Sequence, residues 1–469
     1  MLHDILFLYK HFEKGVFMEL DMTTGKPFPI ILKFMLPLFL GNLFQQLYNM
    51  VDTIIVGRYV SQNALAAVGS TGTIMFLVLG FSQGLTTGFT VLTAQSFGAG
   101  DMKRVKRSVA NGILLSIIVI ISMTIISVAS MDFLLTIMNT PDEIFEDAKI
   151  YIVTICYGIV ASVFYNLFSA FLRSIGNSKV PLYFLMLSAG LNVIFDLLFI
   201  IGLNMGVMGA ALATDISQGI SAVGCLIYII KKAPILWPEK NNWRLNSIDT
   251  SHQMRVGLPM ALQFGITASG TMIMQSAINL FGATAVAAYT AASKLNNLLT
   301  QGFPAMGQTM STYCGQNYGK GDYKRIKQGV KSALISSSAY AVIAAGIALL
   351  ILPHILGLFF DADVDISVMM PYARPYIYLC IMFYIPLGFI FIFRNAMQGC
   401  GYGLLPMLGG VVELFARLGM AAAAMVSLNY ILAAACDPAA WLTAGIFTGI
   451  CYLYVIKDVR KKLTISNEE

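Results

Sequence analysis

The sequence predicts an all-α membrane protein of twelve transmembrane helices, arranged as two pseudo-symmetric six-helix lobes. Three observations predict it. The chain is 57% hydrophobic and only 12% charged, where about 25% charged residues is usual for soluble proteins. Apolar runs of roughly 20 residues, each long enough to cross a bilayer core, recur from residue 28 to 457. Finally, Gln95-Ser96-Phe97-Gly98-Ala99-Gly100-Asp101 returns 221 residues later as Gln316-Asn317-Tyr318-Gly319-Lys320-Gly321-Asp322. A bilayer admits only helices or a closed barrel, because buried backbone groups must be paired internally. These runs are too long and too evenly apolar for the alternating strands of a barrel.

The spans follow in order at about 28–57, 63–97, 105–130, 146–172, 180–202 and 206–230, then 254–281, 284–317, 328–353, 366–396, 404–428 and 436–457. The repeat justifies pairing them six by six. Span 1 carries Leu36-Pro37 and span 7 carries Leu258-Pro259; Ala66-Ala67 opens span 2 as Ala287-Ala288 opens span 8. The stretch from Leu172 to Gly176 before span 5 matches Met397 to Gly401 before span 11, and Pro181 then matches Pro406. Six is an even number, so both copies insert the same way and the repeat is parallel. The expected organisation is an N-terminal segment 1–27, an N-lobe 28–230, a linker 231–253 holding Pro234, Trp237 and Pro238, a C-lobe 254–457 and a tail 458–469. Two such bundles can rock against each other about a site between them, as alternating access requires.

Charge fixes the orientation. Lys and Arg gather in alternate connections, among them Lys103-Arg104, Lys106-Arg107, Lys231-Lys232, Lys324-Arg325 and Arg460-Lys461-Lys462; these connections and both ends hold 24 of the 30 basic residues. The opposite loops are acidic, with Asp142, Glu143, Glu146 and Asp147 in one and Asp361, Asp363 and Asp365 in another. The positive-inside rule then places both termini in the cytoplasm; the expected location is a plasma membrane, with a bacterial inner membrane as the expected kind. The net charge of +6 reflects topology and gives no reason to expect nucleic acid. Residues 1–17 are too short to span and lack a cleavage pattern. They form either an interfacial helix or an extension ahead of a start at Met18.

Several chemistries lack their residues. Cys156, Cys225, Cys314, Cys380, Cys400, Cys436 and Cys451 are scattered through apolar runs and read as free buried thiols. His3, His11, His252 and His354 have no ligand spacing, so no metal site is expected. No phosphate loop occurs; Gly319-Lys320 is followed by Gly321. No nucleophile–base pair suggests an enzyme.

Polar residues inside spans carry the functional signal, because they are costly there. Asn42, Gln45, Asn49 and Asp52 step by three, four and three along one face of span 1. Asn192 and Asp196 stack on span 5, Thr214 and Asp215 lie on span 6, and Glu413 and Arg417 stack on span 11. The acids Asp52, Asp196 and Asp215 all lie in the first half, whereas the deep bases Lys294, Arg394 and Arg417 all lie in the second. Glu413 with Arg417 reads as a structural ion pair. Asp52 and Asp196 have no base nearby in sequence except Arg58. A mobile cation is the better partner: a proton on a carboxylate, or sodium held by carboxylate, amide and hydroxyl oxygens. Asp52, Asn192, Asp196 and Thr214 can supply either. Asp215 faces either its neighbour or a water-filled cleft.

With these residues in view, the chain resembles the multidrug and toxic compound extrusion (MATE) family. The resemblance rests on Val51-Asp52-Thr53-Ile54-Ile55-Val56-Gly57-Arg58 with Ala64-Leu65-Ala66-Ala67, on Gln95-x-x-Gly98-Ala99-Gly100-Asp101, on Leu172-Arg173-Ser174-Ile175-Gly176-Asn177, on Asn192-x-x-x-Asp196, and on Gly209-Ala210-Ala211-Leu212-Ala213-Thr214. It implies a twelve-helix, two-lobe antiporter exporting organic, often cationic, compounds against inward proton or sodium flow. It also implies an N-lobe cation site at Asp52, Asn192, Asp196 and Thr214, and helix bending at Pro37. Some members carry further acids in spans 7 and 10; the nearest positions here read Gln275 and Leu387. That departure implies the DinF-like or prokaryotic type, coupled through the N-lobe.

The expected substrate cavity involves Gln45, Asn49, Gln275, Lys294, Glu413 and Arg417. Met272, Met274, Met306, Met310 and Met382 either wall it or face core and lipid. The partners expected are a small organic substrate and the bilayer, with no cofactor beyond the coupling ion and no obligatory protein partner. The alternative is a flippase of the same superfamily for lipid-linked saccharides, against which twelve spans and the Asp52 motif argue.

Overall fold

A computed structural model describes residues 20–138, 140–359 and 366–465. Asp361, Asp363 and Asp365, and the residues 1–17 on which an interfacial helix was an open expectation, lie outside them. The first half contains α1 (Pro27–Tyr59), α2 (Gln62–Gly98), α3 (Met102–Ile137), α4 (Asp142–Tyr157), α5 (Ile159–Ser174), α6 (Lys179–Asp196) and α7 (Gly206–Lys232). The second contains α8 (Ser247–Asn279), α9 (Ala283–Thr300), α10 (Gly302–Gly319), α11 (Tyr323–Phe359), α12 (Met370–Met382), α13 (Tyr384–Gly399), α14 (Leu404–Ser427), the short α15 (Tyr430–Ala434) and α16 (Cys436–Ile465).

Among the described residues, nine helices are singly long and apolar enough to cross a bilayer. Two bent pairs, α4–α5 at 46° and α12–α13 at 50°, each make one more span. The twelfth is α9–α10, interrupted at Gln301 and interspersed with Thr, Ser, Asn and Gln. Spans 4, 8 and 10 are therefore broken helices, where the hydrophobic pattern alone suggests continuous ones. Gly158 breaks span 4, a residue with no side chain to hold helix against the bend. The seventh span also starts early: α8 begins at Ser247, inside the stretch assigned to the linker, because the Asn246 side chain caps it by accepting from Asp249 N–H at 3.1 Å.

In the first half α2 packs on α3, α4 and α5, and α7 on α4, α5 and α6; in the second α10 and α11 pack on α13, and α14 on α8 and α16. The largest contact in the molecule joins the halves, α2 against α8. Small residues permit it: Gly84 lies against the Ala261 backbone and Gly88 against Gly257, with no room for a Cβ at either. A second apolar seam seats Ile31, Phe34 and Leu38 of α1 among Ala305, Met306, Met310 and Tyr313 of α10 and Ile326 of α11. Met274, Met306 and Met310 are thus core, while Met272 and Met382 are exposed.

The repeated motif turns each long helix into the next. Gly100 and Gly321 take left-handed backbone, φ +74° and +79°, which only glycine adopts cheaply. Asp101 and Asp322 then accept hydrogen bonds from Arg104 N–H at 3.0 Å and Arg325 N–H at 2.9 Å, capping α3 and α11. Gly98 and Gly319 serve packing: each lies directly against the carbonyl of the other copy's glutamine, Gln316 and Gln95. The two copies meet face to face at one end of the bundle, the end where the basic loops lie.

Candidate cation site and a second buried charge cluster

Four of the residues singled out in the first half come together. One face of α1 near its end, Asp52 with Ile55 and Val56, is buried against Ala64, Tyr151, Ile155, Ile200, Val207, Ala210 and Ala211. Asn192 and Asp196 stack one turn apart on α6, and Thr214 faces them from α7. Asn192 Nδ2 donates to Thr214 Oγ1 at 3.3 Å. The carboxyls of Asp52 and Asp196 lie within hydrogen-bonding reach of one another, which requires one of them to carry a proton. Asp52 is 9% exposed and Asp196 is 0% exposed. Asp52 Oδ1, Asn192 Oδ1 and both Asp196 carboxylate oxygens are buried without an N–H or hydroxyl donor among the described residues. Immediately after Asp196 the helix loosens into a π-turn, Leu197–Gly202, a distortion often found at functional sites.

No ion pair among the described residues involves Asp52, Asp196 or Asp215. Arg58, the nearest base in sequence, stands over the ring of Tyr59 instead. Four inward oxygens without donors, two of them on one carboxylate, form a cluster suited to a cation or a proton and unsuited to an anion. Among the described residues, no group of three or more His, Cys, Asp and Glu side chains is placed to hold a metal ion. The donor set here is carboxylate, amide and hydroxyl, which suits a hard monovalent ion rather than a transition metal.

Sequence reasoning missed part of this wall. Tyr48 reaches Gln218 and feels the charge of both aspartates, and Tyr151 of α4 lies near the same carboxylates. Ser162 Oγ donates to Gln218 Oε1 at 2.5 Å. Tyr48 was within reach, because it precedes Asp52 by four residues and shares its face. Asp215 is buried apart from this group, with its carboxyl in the space left by the missing side chain of Gly158, at the break between α4 and α5.

The second half is arranged differently. Glu413 pairs with Arg394 of α13 by a short contact and with Arg417 at 3.4 Å; Arg417 pairs with Asp437 of α16 at 2.9 Å. All four are buried. The expected Glu413–Arg417 pair exists, but it is the looser link in a four-residue chain of two acids and two bases. Gln275 Nε2 donates to Asn279 Oδ1 at 2.8 Å within α8. Gln45 and Asn49 are exposed on α1 and Lys294 is exposed on α9, so they do not join either cluster. Pro37 is buried, and α1 runs through it as one helix.

Two repeated helical lobes built from apolar spans define a multi-pass membrane protein. The MatE family model matches residues 37–198 and again 259–422. The chain belongs to the MATE family of multidrug efflux transporters. It is 29% identical over 308 residues to the probable multidrug resistance protein YpnP of Bacillus subtilis, covering 65% of this chain and 68% of that one. It is 27% identical over 397 residues to the probable multidrug resistance protein NorM of Thermotoga maritima, covering 83% and 84%. Its fold matches a structure described as the outward-facing conformation of a multidrug resistance MATE family transporter of the MOP superfamily, with a TM-score of 0.87 at 22% identity over 94% of this chain and 99% of that one.

Proposed function

We propose that this protein is a secondary antiporter. It exports small organic compounds, often cationic, in exchange for protons or sodium entering through Asp52, Asn192, Asp196 and Thr214. The lobes 28–230 and 254–457 alternate the access of a cavity between them, and Gln45, Asn49 and Lys294 line that cavity, since exposed polar side chains at mid-span belong in water rather than lipid. The basic end of the bundle faces the cytoplasm, as do both termini.

One observation carries this reading: two neighbouring aspartates, buried in the first lobe, have oxygens that no N–H or hydroxyl donor among the described residues satisfies. An ionised carboxylate left alone at that depth is costly, and an arriving cation removes the cost. Coupling follows if the cation and the substrate each favour a different facing of the lobes. The test is purified protein in vesicles loaded with ethidium, with a proton gradient or a sodium gradient imposed separately. Efflux driven by one gradient without ATP supports the reading; efflux that needs ATP, or that no ion gradient drives, overturns it. For orientation, a cysteine placed at Asp142 should react with an impermeant thiol reagent on intact cells, and one at Lys103 should not. The reverse pattern would invert the topology.

A further inference from the structure

The basic end of the bundle is shut by two reciprocal clasps. Gln95 Nε2 donates to the carbonyl of Gly399 at 2.8 Å, and Gln316 Nε2 donates to the carbonyl of Ser174 at 2.8 Å. Gln95 and Gln316 are equivalent in the repeat, and so are Ser174 and Gly399. Each clasp joins one half to the other, and both glutamines are buried. Behind the second clasp a cavity of about 20 Å³ is lined by Thr90, Ala94, Ser174, Ser311 and Thr312.

Among the described residues, one clasp alone is held from behind by the non-helical stretch ahead of α1. Residues 20–25, just ahead of α1, lie across the junction of the halves. On the first half, Leu20 N–H donates to the Gly176 carbonyl at 3.4 Å, and Gly176 has no Cβ to push the segment away. On the second half the grip is extensive. Met22 is fully buried beside Met310, Tyr313, Cys314 and Ile326. Its N–H donates to Gln316 Oε1 at 3.0 Å, and its carbonyl accepts from Asn317 Nδ2 at 3.1 Å and Arg325 Nε at 3.1 Å. The Arg325 guanidinium also donates to the Gly25 carbonyl at 2.7 Å and to the Thr24 carbonyl, and Lys320 Nζ donates to Thr23 Oγ1 at 3.1 Å. The Met22 bond fixes the rotamer of Gln316: with Oε1 taken by Met22, Nε2 is turned toward Ser174.

We propose that residues 20–25 form a latch on the basic end, which holds the Gln316 clasp shut and must come off before that end can open. The segment touches Gly176 in one half and α10 and α11 in the other, so the halves cannot part there while it stays on both. The pseudo-equivalent contact is of a different kind. Arg104, the counterpart of Arg325, stands 3.6 Å from Asp249, and Arg107 pairs with the same carboxylate at 2.5 Å. Asn111 and Gln253 bond at 2.7 Å beneath it. That side is fixed by a buried carboxylate, whereas Arg325 grips the latch through backbone carbonyls, and Gln316, Asn317 and Lys320 add hydrogen bonds to neutral groups rather than an ion pair. The latch is therefore the side built to release.

The inference rests on alternating access, but its first test needs neither an ion nor a substrate. A cysteine at Thr312, behind the clasp and 8% exposed, is labelled with an impermeant maleimide applied to the basic face. Arg325→Ala should speed that labelling roughly tenfold, because charge-assisted hydrogen bonds to three carbonyls are lost together. Lys324→Ala removes a neighbouring positive charge that does not touch the latch, and should leave the rate as in the parent. In a second test, cysteines at Thr23 and Lys320 are joined by a short reducible cross-linker. The joined protein should not label at Thr312 even with Arg325 replaced by Ala, and should stop ethidium efflux until reduced. Unchanged labelling in Arg325→Ala, or full efflux from the cross-linked protein, overturns the latch. A failure of ion coupling would leave the labelling result standing.

Discussion

The two halves of this molecule descend from one repeat yet bury charge in opposite ways. The first half holds Asp52, Asp196 and Asp215 with no base among the described residues paired to any of them. The second holds Glu413 and Asp437 locked onto Arg394 and Arg417. The second cluster is neutral as a whole and its charges are balanced internally, although Arg394 Nε is left without a partner among the described residues. The first is short of positive charge and of hydrogen-bond donors, so its energy depends on what arrives. A group that couples to an ion gradient has to be incomplete in the protein, and a group that only holds helices together has to be complete. The same buried Asp is a candidate ion ligand in one lobe and a brace in the other, and the difference lies in its neighbours.

Substitution at the first cluster should give the largest effect. Asp52→Asn keeps the shape and removes the charge, so gradient-driven efflux should fall by about a hundredfold or more, the scale of loss expected when a group with no substitute is removed. Asp196→Asn should do nearly the same. Thermal stability should hold or rise in both, since an uncompensated carboxylate has left the interior. A fall in stability with efflux intact would mean that these acids brace the lobe as the second cluster does, and the contrast would collapse.

The second cluster sharpens the comparison in the other direction. Glu413→Gln leaves Arg394 without its carboxylate, and breaking a buried pair from one side costs about 3–5 kcal/mol. The double variants then discriminate. Glu413→Gln with Arg394→Gln keeps Arg417 on Asp437 and should recover much of the loss. Glu413→Gln with Arg417→Gln strands both Arg394 and Asp437 and should recover little. Thermal unfolding of the four proteins in detergent measures this. If Glu413→Gln is instead stable and loses affinity for cations alone, Glu413 belongs to the substrate cavity.

How much of this could be read from the chain depends on whether the signal is local. Asp52, Asn192 and Asp196 were legible because helical spacing puts them on defined faces and the bilayer makes polar residues conspicuous. Glu413 and Arg417 were legible as neighbours four apart, but Arg394, the partner in shorter contact with Glu413, arrives from α13 by tertiary packing. Asp437 was hidden at the very edge of a span. The breaks at Gly158, Gln301 and Phe383 leave composition almost unchanged, so hydropathy runs straight through them. Residues 20–25 look like any polar lead-in to a helix; only the buried Met22 and the reach of Arg325 distinguish them. The glutamine–glycine repeat gave its position away by duplication, while its role in joining the halves emerges only when both copies are seen in contact.

The smallest expected effect concerns Asp215, the acid that belongs to neither cluster. Its carboxyl occupies the volume a side chain at Gly158 would need, with the carboxyl carbon and both oxygens in the way. Gly158→Ala should therefore cost about 1–3 kcal/mol, as overpacking does, by pushing the carboxyl out of the break between α4 and α5. If the clash is the whole cause, pairing Gly158→Ala with Asp215→Ser should restore most of the stability, because the shorter side chain vacates the space. Efflux then separates structure from coupling. An acid that only fills the break can be replaced by Ser without loss of transport, and the proposed coupling pair in the first half stays at two, Asp52 and Asp196. If the rescued double variant is stable but transports no ethidium, Asp215 is a third member of the incomplete set, and the imbalance of charge between the lobes is larger than the Asp52 cluster alone.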